Sequence, residues 1–274
     1  MLRALFTAAS GMVAQQVNID AISHNLANVN TTGFKKGRAE FQDLLYTQIL
    51  PPARGENQGI VVGQGVRLSS IHRIMNGGTR QVSGGDYDVA ISGGGYFQVR
   101  RPDGSTAYTR DGAFHLDADR HLVTAQGDLV LGEDGPITIP PGATEVSIGA
   151  DGTVSYTDTA KSATNKETAE ADGFKQATVT VGRIVLATFP NPAGLEALGD
   201  NLWGATAATG DAVTAPPGDK DAGRLVQGYL EGSNVQSVEE MVNLIMAQRA
   251  YEINSKVVQS ADEMMSLTNN LRRG

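Results

Sequence analysis

The sequence contains no cysteine. Disulfides and thiolate metal sites are therefore excluded, and the fold must hold in any compartment without either. It contains no apolar run near the roughly 18 residues that a bilayer-spanning helix requires, so no transmembrane helix is expected. It also lacks a long basic run: 22 Lys and Arg stand against 30 Asp and Glu, a formal net charge of −8 over 274 residues. Phosphate binding needs clustered Lys and Arg, so nucleic acid is not expected as a partner. The four histidines, at 24, 72, 115 and 121, show no H-E-x-x-H spacing. His115 and His121 flank Asp-Ala-Asp-Arg on an expected hairpin and read as a solvated pair, not as metal ligands. No G-x-S-x-G elbow is present. Ser92-Gly93-Gly94-Gly95 is followed by Tyr96-Phe97-Gln98-Val99. That is strand, where a phosphate loop would lead into a helix, so the glycines are assigned to a bulge or tight turn. No catalytic, cofactor or metal residue is assigned. A paired-carboxylate carbohydrate enzyme on a β scaffold would leave no mark in sequence and stands as an alternative.

What the chain does have is helical periodicity at both ends. No Gly or Pro interrupts residues 235–271. There Val242, Ile245, Ala250, Ile253, Val257, Ala261, Met264, Leu267 and Leu271 recur mostly every three or four residues, one helix face. Leu244, Tyr251, Val258 and Met265 repeat every seven on a neighbouring face. Ser237 is the expected N-cap, Glu239 and Glu240 suit the first turn, and Arg272 and Arg273 suit the far end of the dipole. Such a rod is roughly 50 Å long. Its two apolar rows either form one strand of an intrachain coiled coil, or are buried in part only when other copies arrive.

Residues 1–29 carry a second heptad pattern. Leu5, Met12, Ile19 and Leu26 repeat every seven, with Met1, Ala8, Gln15, Ile22 and Val29 three positions further along. This is an a/d seam of about four heptads. Asn18, Asn25 and Asn28 lie beside it, either as solvated amides or as setters of register. Asn30-Thr31-Thr32-Gly33 ends the helix, with Gly33 placed for a left-handed cap. The start, MLRALFTAASGMVAQQ, resembles a signal peptide, but Thr7, Ser10 and Gly11 break the apolar run and the helical period continues past it. The segment is expected to be mature sequence, with any export leaving it uncleaved.

Two heptad-bearing helices at opposite ends can pair only if the middle returns to its start. The fold class expected is α+β: long terminal helices paired as a coiled coil, with a central antiparallel all-β domain. The expected divisions are 1–45, an N-terminal helical assembly segment; 46–68, an extended spacer; 69–230, the β domain; and 231–274, a C-terminal assembly helix. Phe34–Tyr46 is read as a turn and a short helix around Phe41, Leu44 and Leu45. In the spacer, Pro51, Pro52, Gly55, Gly59, Gly63 and Gly65 break regular structure, while Val61, Val62 and Val66 suggest extended chain. Asp103-Gly104 signals a hairpin of the primed-turn type, and Asp111-Gly112, Asp134-Gly135 and Asp151-Gly152 repeat that punctuation. Such spacing implies a sandwich or open barrel. Residues 157–172 have no large apolar side chain and are expected as an exposed loop or hairpin tip. Strand returns at 179–189, Asn191–Gly194 is a turn, Trp203 a core anchor, 205–223 a loop, and 225–230 the last strand.

Ile22-Ser23-His24-Asn25-Leu26-Ala27-Asn28-Val29-Asn30-Thr31-Thr32-Gly33-Phe34-Lys35 resembles the N-terminal signature of the flagellar rod and hook protein family. Gln248-Arg249-Ala250-Tyr251-Glu252-Ile253-Asn254-Ser255-Lys256 resembles its C-terminal motif. DVAISGGGYFQV from Asp88 and YTRDGAFHLD from Tyr108 are similar to its central β domain. The motif positions are Asn25, Leu26, Asn28, Thr31, Gly33, Phe34, Arg249, Tyr251 and Asn254. The resemblance spans nearly the whole chain; residues 157–172 look longer and more acidic than the family pattern. It implies a structural subunit of the bacterial flagellar distal rod, assembling helically into a rigid shaft that carries torque from motor to hook. The hook protein of the same family, which would need a further outer domain, is the alternative. The helical seams expected to mediate assembly are Leu5, Met12, Ile19, Ile22 and Leu26 with Leu244, Ile245, Tyr251, Ile253, Val257, Val258, Met264 and Leu271. Implied partners are further copies, proximal rod and hook proteins, peptidoglycan-ring and outer-membrane-ring proteins, and the flagellar type III export apparatus. The implied location is the basal body from periplasm to outer membrane, without a cleaved leader and without a cofactor.

Overall fold

The computed structural model describes residues 2–50, 60–158, 178–219 and 221–271. The expectations for Met1, for Pro51, Pro52, Gly55 and Gly59, for loop residues 159–172, and for Arg272 and Arg273 fall outside the described residues. The chain divides into two compact units, one drawn from 1–29, 36–74 and 235–274, the other from 30–35 and 75–234.

The first unit holds both helices, α1 (Leu2–Ala27) and α2 (Ser237–Leu271), where the periodicity predicts them. They pack against each other and run antiparallel: Gly11 faces Asn254 and Asn25 bonds Glu240, so steps forward on α1 meet steps back on α2. The first helical hydrogen bond of α2 runs from the Glu240 amide to the Gln236 carbonyl (3.0 Å). The capping position is therefore Gln236, one residue before the expected Ser237. α1 ends at Ala27, and its last turn closes through the Asn28 and Val29 amides. Gly33 does have a positive φ (68°), but it lies beyond that turn and its amide bonds the Glu231 carbonyl, so it does not cap α1.

The segment read as a short helix is strand. β1 (Gly37–Asp43) pairs antiparallel with β4 (Val66–Arg73), and between them β2 (Thr47–Leu50) pairs with β3 (Ile60–Val62). The apolar spacing of Phe41, Leu44 and Leu45 suits a helix locally, but pairing with a distant strand overrides that weak preference. A bulge between Glu40 and Phe41 shifts the register.

The described strands of the second unit pair antiparallel, and a 3-10 turn at Pro192–Gly194 stands where the sequence predicts a turn. The strands are β5 (Arg80–Val82), β6 (Val89–Ser92), β7 (Tyr96–Arg100), β8 (Thr106–Thr109), β9 (His115–Leu116), β10 (Leu122–Val123), β11 (Leu129–Gly132) and β12 (Gly135–Pro136). After them come β13 (Ala143–Ile148), β14 (Thr153–Asp158), β15 (Thr178–Arg183), β16 (Leu186–Thr188), β17 (Glu196–Gly199), β18 (Leu202–Gly204), β19 (Val213–Ala215), β20 (Arg224–Gln227) and β21 (Tyr229–Glu231). A ten-stranded sheet runs β17-β18-β8-β7-β11-β10-β9, with β12 on β11 and β16 joining β7 to β19. A three-stranded sheet orders β13-β14-β15, and β20 pairs β6 while β21 pairs β5. Val89, Phe97, Val99, Val130, Ile184 and Leu186, all fully buried, centre the core. Trp203 is buried beside Tyr96, Tyr108 and Phe189, as expected of an anchor.

Three local readings change. The β7–β8 turn bonds the Gly104 amide to the Arg101 carbonyl (2.9 Å), and only Gly104 has a positive φ. Pro102 at the second turn position demands a negative φ, so this is a type I turn closed by a left-handed glycine, not a primed one. The stretch read as loop 205–223 contains β19, held by pairing with β16. The last strand is two, bent at Gly228 with φ 75°.

Candidate self-association surface

Within the first unit, small and polar residues form the contact between α1 and α2. Ala8, Ala14, Ile22 and Asn25 are buried on α1, and Glu240, Ala247 and Ala261 on α2. A Cβ at Gly11 would lie 3.1 Å from the Asn254 side chain, so the helices approach closely there. Close approach of small side chains turns the large apolar ones outward. Of the expected seam residues, Ile22 is buried, and Leu5, Met12, Ile19, Leu26, Leu244 and Val258 are half-buried. Ile245 (52 %), Ile253 (63 %) and Leu271 (84 %) are exposed, as are Tyr251, Val257 and Met264. Val238, Met241, Val242, Met246 and Leu267 join them. Completing the burial of one such side chain is worth on the order of 1 kcal/mol. An apolar stripe of this length is uncommon on a monomer, which makes this face the candidate interaction surface.

Asn25 decides between the two readings of the seam-side amides. It is buried; its Nδ2 donates to the Gly37 carbonyl (2.8 Å) and to Glu240 Oε2 (3.1 Å), and its Oδ1 accepts from the Gly37 amide (2.9 Å). One side chain thus fixes α1 against β1 and α2. Lys36 reaches Glu240 at 3.5 Å and Glu239 at 3.6 Å. Asn28 instead donates to the His24 carbonyl at the helix end, and half-buried Asn18 lines a cleft of about 650 Å³ with Asn25, Lys36, Glu240 and Met246. Lys36 and Glu240 were not among the expected site residues. An acid in the first turn of a helix has an ordinary role there, which masks a second one.

In the second unit, the remaining N-terminal motif residues seat against the β domain. Gly33 packs where a Cβ would lie 2.7 Å from the Asp111 amide nitrogen. Phe34 is buried and Thr31 half-buried, and Asn201 donates to the Thr32 carbonyl (3.0 Å). Lys35 is fully buried; its ammonium donates to Glu231 and to the Asn76 carbonyl. Arg110 Nη1 donates to the other Glu231 oxygen (3.1 Å) and Nη2 to the Gly93 carbonyl (2.9 Å), while its guanidinium lies 5.1 Å from the Tyr96 ring centre. Burial works against the Glu231 charge, but Arg110, Lys35 and the Gly78 amide outweigh it and hold the carboxyl below the usual range. Burial pushes the Asp111 carboxyl up, partly offset by hydrogen bonds from Ala113, Thr32 and Asn201. Nothing local in the sequence marks Lys35, Arg110 and Glu231 as meeting, since Lys35 and Arg110 lie 196 and 121 positions from Glu231. Of the C-terminal motif, Arg249 and Tyr251 are exposed and Asn254 is half-buried against Gly11.

One group among the described residues has metal-ligand geometry: Asp117, Asp119 and His121, with donor atoms within 4.8 Å on the β9–β10 turn. Asp117 is already bonded to the His121 amide (2.7 Å) and ring (3.2 Å), which accounts for the arrangement as a turn.

Comparison with known proteins bears on all three regions. Residues 5–35 match the family described as Flagella basal body rod protein, residues 90–156 the Flagellar hook protein FlgE/F/G D1 domain, and residues 226–271 the Flagellar basal body rod FlgEFG protein C-terminal. The chain is 46 % identical over 282 residues to a Flagellar basal-body rod protein FlgG of Borreliella burgdorferi, with all of both chains covered. It is 46 % identical to one of Caulobacter vibrioides, covering 99 % of this chain and all of the relative, and 45 % identical to one of Agrobacterium fabrum, covering 97 % and 98 %.

Proposed function

The chain belongs to the FlgG family of flagellar basal-body rod proteins, and we propose that it polymerises through the outward apolar face of α2 into the shaft of that rod. Family membership makes it a structural subunit of the flagellar rod, resident in the basal body, associating with its own kind and with other flagellar components. It is not an enzyme: the relatives are rod proteins. Likeness over the full length to rod proteins does not favour the hook reading.

The observation that carries the proposal is the exposed row on α2 from Ile245 through Ile253, Val257 and Met264 to Leu271. We assign its burial to a second copy, with α1 and α2 forming a coiled coil whose seam is completed between subunits. A contact between unlike faces that does not close on itself builds a helical filament. In this reading 1–45 and 231–274 are the assembly segments. Residues 46–68 are a spacer that packs on neighbouring subunits and stiffens the tube, and the β domain, 69–230, adds contacts that resist shear. The subunit belongs to the distal section, carrying torque between proximal rod and hook proteins across the periplasm. The peptidoglycan and outer-membrane rings act as its bushing, and the type III apparatus exports it. The test is Ile253→Asp in the full chain: the circular dichroism of the parent and no tubes support the proposal, and normal tubes sink it.

A further inference from the structure

Met246, Ile253, Val257 and Met264 lie on one line along α2, at spacings of seven, four and seven residues. Met246 and Met264 are 18 residues apart, about five full turns. Both are exposed, at 57 % and 49 %, as are Ile253 and Val257 between them. Met264 also lines an apolar groove of about 330 Å³ with Ala4, Ile253 and Val257. Both thioethers thus stand within the stripe assigned to self-association, open to solvent in the free chain. Met241 is exposed as well, at 50 %, but stands about 140° round the helix from that line, while Met12, Met75 and Met265 are half-buried and less accessible.

Resting on that assignment, we propose that Met246 and Met264 are oxidation sites whose sulfoxides block polymerisation, making assembly sensitive to hydroperoxides before but not after it occurs. In the step itself the thioether sulfur takes the terminal oxygen of hydrogen peroxide. The O–O bond breaks, an S–O bond forms, sulfur loses two electrons, and water leaves. The product is a polar, chiral side chain in place of a flexible apolar one. Burying that dipole against another copy without a donor costs enough to raise the critical concentration about tenfold per sulfoxide. In the polymer the same sulfurs are covered and react slowly.

The experiment treats full-length chain with hydrogen peroxide, maps sulfoxides by peptide mass, and follows polymer growth by light scattering. Oxidation at 246 and 264 ahead of 12, 75 and 265 is expected, with a critical concentration at least tenfold higher, restored by methionine sulfoxide reductases. The Met246→Leu/Met264→Leu variant is expected to assemble after peroxide as the untreated chain does. Unchanged assembly of chain carrying both sulfoxides overturns the proposal, as does peroxide sensitivity surviving in the double variant. If Ile253→Asp blocks tubes while the sulfoxides do not, only the oxidation inference falls; if Ile253→Asp forms tubes, the assignment beneath it falls.

Discussion

Lys35 and Glu231, 196 positions apart in sequence, meet as a buried ion pair inside the second unit, with Arg110 on the other carboxylate oxygen. One anion serves two buried cations. Removing its charge leaves both cations buried without that counter-charge, which typically costs about 3–5 kcal/mol. Glu231→Gln is therefore expected to destabilise the second unit by that amount. The sole tryptophan, Trp203, lies buried in this unit and reports its urea unfolding directly.

The same carboxylate sets a pH dependence. Its folded pKa lies below the ordinary value, so the unfolded chain binds more protons and stability rises with pH. The contribution is present above the ordinary carboxylate range and is lost as pH falls through the depressed folded pKa. Asp111, raised by burial, has the opposite sign, its contribution growing as pH falls. Comparing wild type with Glu231→Gln cancels Asp111. The difference between their urea midpoints is expected to shrink as pH falls below about 4; a difference constant with pH contradicts the role of the charge.

Gly33→Ala is expected to cost more than about 2 kcal/mol, since φ is 68° and the new Cβ would strike the Asp111 backbone at 2.7 Å. Thermal denaturation of the full chain followed at Trp203 measures it. A melting point within a degree of the parent contradicts the packing described.

Asn25→Ala leaves the Gly37 amide and carbonyl without the side chain that pairs them. The loss is expected to be about 2–3 kcal/mol. Hydrogen exchange should quicken at the end of α1 and in β1, while β7 and β11 in the second unit keep their protection.

Periodicity announced both helices, because 3.6-residue spacing is a local property of the chain. Which face each helix turns inward was harder to read. Leu5, Met12, Ile253 and Leu271 are the bulky apolar residues, yet Ala14, Ala247 and Ala261 are the buried ones and Gly11 is where the helices approach closely. Small residues add little to an apolar count but permit close approach. β1 was hidden for a different reason: its conformation depends on β4, which begins beyond residue 65. The Asp-Gly punctuation located β7, β8 and their turn, while Pro102 altered the turn type. Lys35, Arg110 and Glu231 carried no local sign of their meeting, since only the completed fold brings 35, 110 and 231 together. The place of Asn25 beside the heptad seam marks it for register, while its partners on β1 and α2 have no local signature.

The most direct measurement is a cryo-electron-microscopy map of the polymer at side-chain resolution. The account predicts that Ile245, Ile253, Val257 and Met264 of each subunit contact another copy, within about 4.5 Å of its apolar atoms. A map in which that row faces open solvent, with subunits joined elsewhere, contradicts it.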